Sequence, residues 1–147
     1  MARRVFFSFH YENDVWRASI VRNSGVVEGS AAAGFQDASL WEEAKKKGEA
    51  AIQRMIDAAL NGTTVTAVLI GAETSTRPWV DYEIKKSIER GNGLLGIYVD
   101  QIKGSDGRTS YRGAVPTRLA TAAAPVYEWN SAKFGEWVEA AARKAGR

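Results

Sequence analysis

A chain of 147 residues is long enough for one domain with a substantial core, and no apolar run in it approaches the ~20 residues a bilayer crossing needs. The lack of cysteine excludes a disulfide framework, a thiolate metal site and a thiol nucleophile, and His10 as sole histidine excludes a histidine-rich metal site or a two-histidine acid–base pair. A net charge of +3 permits an anionic ligand without demanding nucleic acid, because bases alternate with acids (EEAKKK, EIKKSIER) as on solvated helix faces.

The opening MARRVFFSFH has two arginines but no long apolar segment or small-residue cleavage site. No signal peptide is expected, and a cytoplasmic location is. Residues 5–9 (VFFSF) form a short apolar run that predicts a buried strand. Asn13 or Asp14 can cap a helix carrying Val15, Trp16, Ile20 and Val21. Residues 25–34 (GVVEGSAAAG) are small, lack periodicity and predict a loop. From Leu40 the pattern turns helical, with Ile52, Met55, Ile56, Ala59 and Leu60 on one face and Asn61 and Gly62 as its stop.

Residues 64–70 (TVTAVLI) are almost continuously β-branched, the pattern of a strand covered on both faces and hence of a parallel sheet. A helix over 77–91 and a second such strand over 94–99 follow. Residues 101–124 are polar, glycine-bearing and long for a connection, as functional or mobile loops are. Residues 125–129 (PVYEW) predict a last strand, and Asn130 and Ser131 cap a helix with Phe134, Trp137, Val138 and Ala141 on one face. There is no internal repeat and no linker, so residues 1–147 form a single domain.

Strand and helix in alternation give an α/β fold. With right-handed crossovers, a flavodoxin-like doubly wound, mainly parallel sheet is expected. Ligands of such sheets bind outside the carboxyl ends of the strands. That directs attention to residues 8–13 and 71–83. No GxGxxG follows the first strand and no GxxxxGK[ST] occurs, so the glycine-rich phosphate cradles are excluded. A receiver domain would need an acidic cluster, an aspartate and a lysine at strand ends where this chain has none in order.

The helix over RPWVDYEIKKSIERG poses the sharpest question. Thr76 or Ser75 can cap it, and Pro78 suits its first turn. Val80, Ile84, Ser87 and Ile88 fall on the buried stripe, Asp81, Lys85 and Glu89 on the wet side. Trp79 and Glu83 lie one turn apart on the border between them. Glu83 is then either a rim glutamate paired with Lys86 or Lys103, or a partly desolvated carboxylate close to the strand ends.

The first strand, RVFFSFH, is similar to the opening strand of TIR domains, and WVDYE, Trp79 to Glu83, resembles their WxxxE helix. RVFFSFHYEND, FQDASLWE, VTAVLIG and RPWVDYEIKKSIERGN, in that order, resemble the bacterial TIR-like family of the Thoeris anti-phage system. The likeness covers about residues 5–99. GFQDASLWEEAKKKG stands where a TIR second strand and its loop are expected, and residues 103–124 match no TIR segment.

What the resemblance implies is an enzyme that cleaves the nicotinamide–ribose bond of NAD, with Glu83 as the catalytic residue. It further implies a cyclic ADP-ribose-type product that acts on a separate effector protein, a phage-derived trigger and self-association. NAD would be the substrate, with no further cofactor, no metal, and neither nucleic acid nor membrane as partner. A cationic pyridinium leaves without a strong acid, so one carboxylate that stabilises charge growing on the ribose suffices. Trp79 would shape the niche. Ser8 would bond a ribose hydroxyl or the nicotinamide amide, or else satisfy a neighbouring backbone group. Phe9, His10 and Tyr11 would pack on nicotinamide or adenine; for His10 a loop hydrogen bond serves as well. Asp37 and Trp41 are a helix cap and core anchor, or close the pocket beside Glu83. Arg77 meets the pyrophosphate or is solvated. The rival reading is a TIR-like interaction module without catalysis; a nucleoside deoxyribosyltransferase-like enzyme is a third.

Overall fold

The chain runs through β1 (Arg3–Ser8), α1 (Tyr11–Arg22), β2 (Val27–Ser30), α2 (Ala38–Lys47), α3 (Glu49–Leu60), β3 (Val65–Ile70), α4 (Pro78–Arg90), β4 (Gly93–Tyr98), α5 (Thr117–Thr121), β5 (Val126–Glu128) and α6 (Phe134–Lys144). A computed structural model describes residues 3–24, 27–30 and 38–147, without the side chains of 27, 28, 30 and 38–41. The strands form one parallel sheet in the order β2-β1-β3-β4-β5, the flavodoxin-like order expected. The strand order switches direction between β1 and β3, so the crevice at their carboxyl ends is the natural ligand site.

Strand alternation sorts the two faces. Phe7 stacks on Phe134 of α6, with ring centroids 6.2 Å apart, while Ser8 and Thr66 turn to the opposite face and hydrogen-bond with α4. Every residue of β3 is buried, which is why its sequence is β-branched almost throughout. Val68 and Ile70 meet Val80, Ile84 and Leu119 beneath α4 and α5.

Several expectations change. The loop over 25–34 contains β2, a four-residue edge strand that Glu28 and Gly29 disguise; residues 25, 26 and 31–34 lie outside the described set. Gly29 is required there because the Phe7 ring and the Arg22 stem occupy the place of a Cβ. The first helix starts at Tyr11, with His10 in the cap position, ahead of Asn13 and Asp14. Its buried face is Tyr11, Asp14, Arg17, Ala18 and Val21, which leaves Trp16 55% and Ile20 40% exposed. The helical stretch from Leu40 breaks into α2 and α3 at Gly48, whose φ of 98° is open to glycine at little cost. Residues 117–121 of the long loop are α5. Arg77, not Thr76 or Ser75, occupies the cap position of α4, and Pro78 opens it as expected. Asn130 caps a turn rather than a helix, its Oδ1 accepting from the Ala132 amide, and α6 begins at Phe134.

Candidate functional site

α4 is rotated relative to the sequence expectation. Its buried residues are Val80, Glu83, Ile84 and Ser87, and Ile88 is 43% exposed. Glu83 therefore lies within the buried face rather than on its edge. Polar groups explain the rotation. The Ser87 hydroxyl donates to the Glu83 carbonyl at 2.8 Å, and Thr66 Oγ1 donates to Ser87 Oγ at 2.7 Å. Asn92 Nδ2 continues the chain to Thr66 Oγ1 at 3.2 Å and to Thr63 Oγ1 at 3.0 Å. Buried hydroxyls need such partners, so the helix turns the face carrying them toward β3.

Glu83 is 5% exposed, and its Oε1 accepts a hydrogen bond from Ser8 Oγ at 2.7 Å. Ser8, the last residue of β1, is fully buried. No cation pairs with this carboxylate among the described residues. Lys86 sits instead 3.7 Å from Glu89 and over the Tyr82 ring, and Lys103 is exposed, so the rim-pair reading is not what the structure holds. Burial pushes the Glu83 carboxyl up to about 8, with the Ser8 hydrogen bond pulling the other way. An unpaired buried carboxylate raises its affinity for a proton or for any positive charge brought beside it.

The other expected site residues divide. His10, two residues beyond Ser8, is buried, its Nε2 3.3 Å from Glu12 and its Nδ1 without a hydrogen-bond partner among the described residues. Its pKa is lowered, first by burial and then by the positive charge of Arg77. Arg77 is partly exposed, with its guanidinium 3.9 Å from Glu73. Trp79 is half-buried and meets Tyr82 edge-on at 5.4 Å. Phe9 and Tyr11 stack on each other at 5.8 Å and are each 7% exposed. Both belong to the core cluster behind the strand ends. Asp37 and the side chain of Trp41 lie outside the described residues.

Sequence reasoning missed a second buried carboxylate. Asp14, 1% exposed, meets Arg17 Nη1 at 2.8 Å and packs against the Cα of Gly71, the residue following β3. Its pKa is raised, burial outweighing the Arg17 hydrogen bond and charge. The i, i+3 spacing of an acid and an arginine was the available signal, obscured by the capping role that an aspartate near a helix start suggests.

A parallel 2-1-3-4-5 sheet with a WxxxE helix whose glutamate meets the end of the first strand defines a TIR-like domain. A family model described as "Thoeris protein ThsB, TIR-like domain" matches residues 6–103. The chain is 43% identical over 150 residues to a protein of Bacillus cereus (strain MSX-D12) named "Putative cyclic ADP-D-ribose synthase ThsB1", across 96% of this chain and 78% of that protein. The chain belongs to the Thoeris ThsB TIR-like family.

Proposed function

We propose that this protein cleaves the nicotinamide–ribose bond of NAD and joins the ADP-ribosyl group to an internal acceptor, giving a cyclic ADP-ribose-type signal. The observation that carries the reading is the buried Glu83 carboxyl, bonded to Ser8 and unmatched by a cation among the described residues. The name of the Bacillus cereus relative supports the same chemistry.

NAD brings the missing positive charge. With the nicotinamide ring beside Glu83, attraction to the pyridinium favours the ionised carboxylate, and its proton is released to solvent. The C1′–N bond then breaks with its electron pair leaving on nicotinamide, which departs neutral. Positive charge passes to the ribose, where the Glu83 carboxylate stabilises it. Attack on C1′ by the internal acceptor closes the ring; attack by water yields ADP-ribose. Ser8 orients Glu83 and can reach a ribose hydroxyl. His10, held neutral by burial and Arg77, offers Nδ1 to a polar group of the substrate. Trp79, Phe9 and Tyr11 shape the wall, and Arg77 faces the pyrophosphate. The product acts on a separate effector protein, and a phage-derived trigger acting through self-association switches synthesis on in the cytoplasm.

Mass spectrometry of NAD-derived nucleotides in phage-challenged cells tests this, with wild type and Glu83→Gln at matched expression. A cyclic ADP-ribose-type product confined to wild type is expected. Its absence from both, across several phages and with both proteins folded, leaves the non-catalytic interaction module.

A further inference from the structure

The segment after β4 is held as a strap across the carboxyl edge of the sheet, and one buried side chain ties it to α1. Arg17 is 6% exposed. It donates to the carbonyls of Ile102 at 2.6 Å and Arg108 at 2.9 Å, to Asp14 at 2.8 Å, and to the Asn13 carbonyl at 3.4 Å. Gly104 lies flat against the guanidinium, where a Cβ would crowd it. Gly113 lies on the Gly71 and Ala72 carbonyls at the end of β3, where a Cβ would collide with backbone. Between these points the Ser110 amide donates to the Asp100 carbonyl at 2.9 Å, and Arg112 bridges Asp100 and Glu128 while covering the Tyr98 ring. Val115 then packs into the cluster formed by Val80 and Ile84 of α4.

The strap thus runs from the end of β4 to α1, back over the end of β3, and onto the helix that carries Glu83. Most of it lies beyond residue 103, where the family match ends. A buried ion pair is a poor way to gain stability, because desolvation offsets most of the attraction. A planar fork that fixes carbonyls from residues 13, 102 and 108 in one geometry is a good way to gain position.

We infer that Arg17 is a positioning residue whose clamp on the 100–116 strap walls the ribose niche from solvent, so that the internal acceptor rather than water captures the ribosyl cation. The inference rests on the NAD-cleaving reading above. Both outcomes break the same C1′–N bond and release the same neutral nicotinamide. They differ only in the nucleophile that reaches C1′, and water enters where the wall is loose.

The test compares wild type, Arg17→Lys, Gly113→Ala and, as a control, Val138→Ala in phage-challenged cells. Released nicotinamide and the ratio of cyclic to linear product are measured together. Lysine keeps a charge for Asp14 but cannot span the carbonyls. Arg17→Lys is expected to lower the cyclic-to-linear ratio about tenfold, the loss of one charge-assisted hydrogen bond, with total nicotinamide changed less than about threefold. Gly113→Ala shifts the ratio the same way by lifting the strap, and keeps the test open should Arg17→Lys fold poorly. Val138→Ala, on the buried face of α6, lowers the melting temperature and leaves the ratio alone. Faster amide exchange at Gly104 and Ser110 in the two strap variants confirms the loosening. An unchanged ratio in a strap variant with that faster exchange overturns the inference, as does a wild type that forms only linear product. No nicotinamide from wild type overturns the NAD reading itself, a distinguishable failure.

Discussion

Glu83 and Asp14 are two buried carboxyl groups near the same edge of the sheet. Asp14 meets the Arg17 guanidinium at 2.8 Å, whereas among the described residues Glu83 meets only the Ser8 hydroxyl, at 2.7 Å. Burial raises the proton affinity of both. The pair on α1 has its charge answered within the protein and serves geometry, tying α1, the end of β3 and the strap together. The carboxyl on α4 has no such answer among the described residues, and in the proposed mechanism a cationic substrate completes it. On that proposal the same side-chain chemistry is structural in one place and reactive in the other, according to where its counter-charge comes from.

The largest effect expected is at Glu83. Glu83→Gln keeps the shape and removes the charge, so NAD turnover falls about a thousandfold, as when an electrostatic catalytic group is lost. Stability moves the other way. Between the ordinary carboxyl value of 4.5 and about 8, folded Glu83 keeps a proton that the unfolded chain has lost. Wild-type stability therefore declines with rising pH across that window, by up to roughly 1.4 kcal/mol per unit, and levels off above it. The glutamine variant does not titrate there. Its melting temperature should match wild type near pH 4.5 and exceed it increasingly toward pH 8, as thermal scans at stepped pH would register. A constant offset would place the carboxyl in contact with solvent.

Asp14→Ala should do the reverse. It leaves the Arg17 guanidinium buried without its counter-ion, which costs about 3 kcal/mol in chemical denaturation. A loss below about 1 kcal/mol would mean that Arg17 finds water, and the contrast between the two carboxylates would collapse.

How much of this could be read from the sequence follows from which groups answer to local rules. The β-branched run of β3 and the apolar spacing of α3, α4 and α6 are local, so the alternating α/β order was legible. β2 was not, because an edge strand of four residues containing Glu28 and Gly29 carries no apolar pattern. Gly48 ends α2 where the periodicity continues. Ser8 and Glu83 were legible as candidates, but their contact spans 75 positions. The degree of burial was not: the stripe placed Ser87 correctly but set Glu83 on its edge, because the polar partners that fix the azimuth of α4, Ser8, Thr66 and Asn92, lie outside the helix. Arg17 was invisible for a similar reason: its acceptors at 102 and 108 are backbone carbonyls, which leave no trace in residue type.

A finer prediction concerns pH. In the proposed mechanism only the ionised carboxylate stabilises the ribosyl cation, so kcat/KM, which reports the free enzyme, should rise with pH and level off near 8. The limb in kcat should fall at lower pH, because bound pyridinium favours ionisation. Ser8→Ala removes the hydrogen bond that stabilises the carboxylate and should move the kcat/KM limb upward. A downward move would assign Ser8 a different partner in the working state. Smallest is Ser87→Ala, which cuts the polar chain beneath α4. A stability loss of about 1 kcal/mol and a few-fold drop in kcat are expected, with KM little changed. An effect on KM alone would locate Ser87's influence in binding.

The central claim is that Glu83 is a buried carboxyl awaiting a positive charge. Its most direct test is a carbon-13 NMR titration of the glutamate side-chain carboxyls, with Glu83→Gln identifying the resonance. Without ligand, that resonance should titrate near 8, and a nicotinamide-bearing cation should move the midpoint down. A midpoint at the ordinary 4.5, indifferent to the cation, would contradict the account.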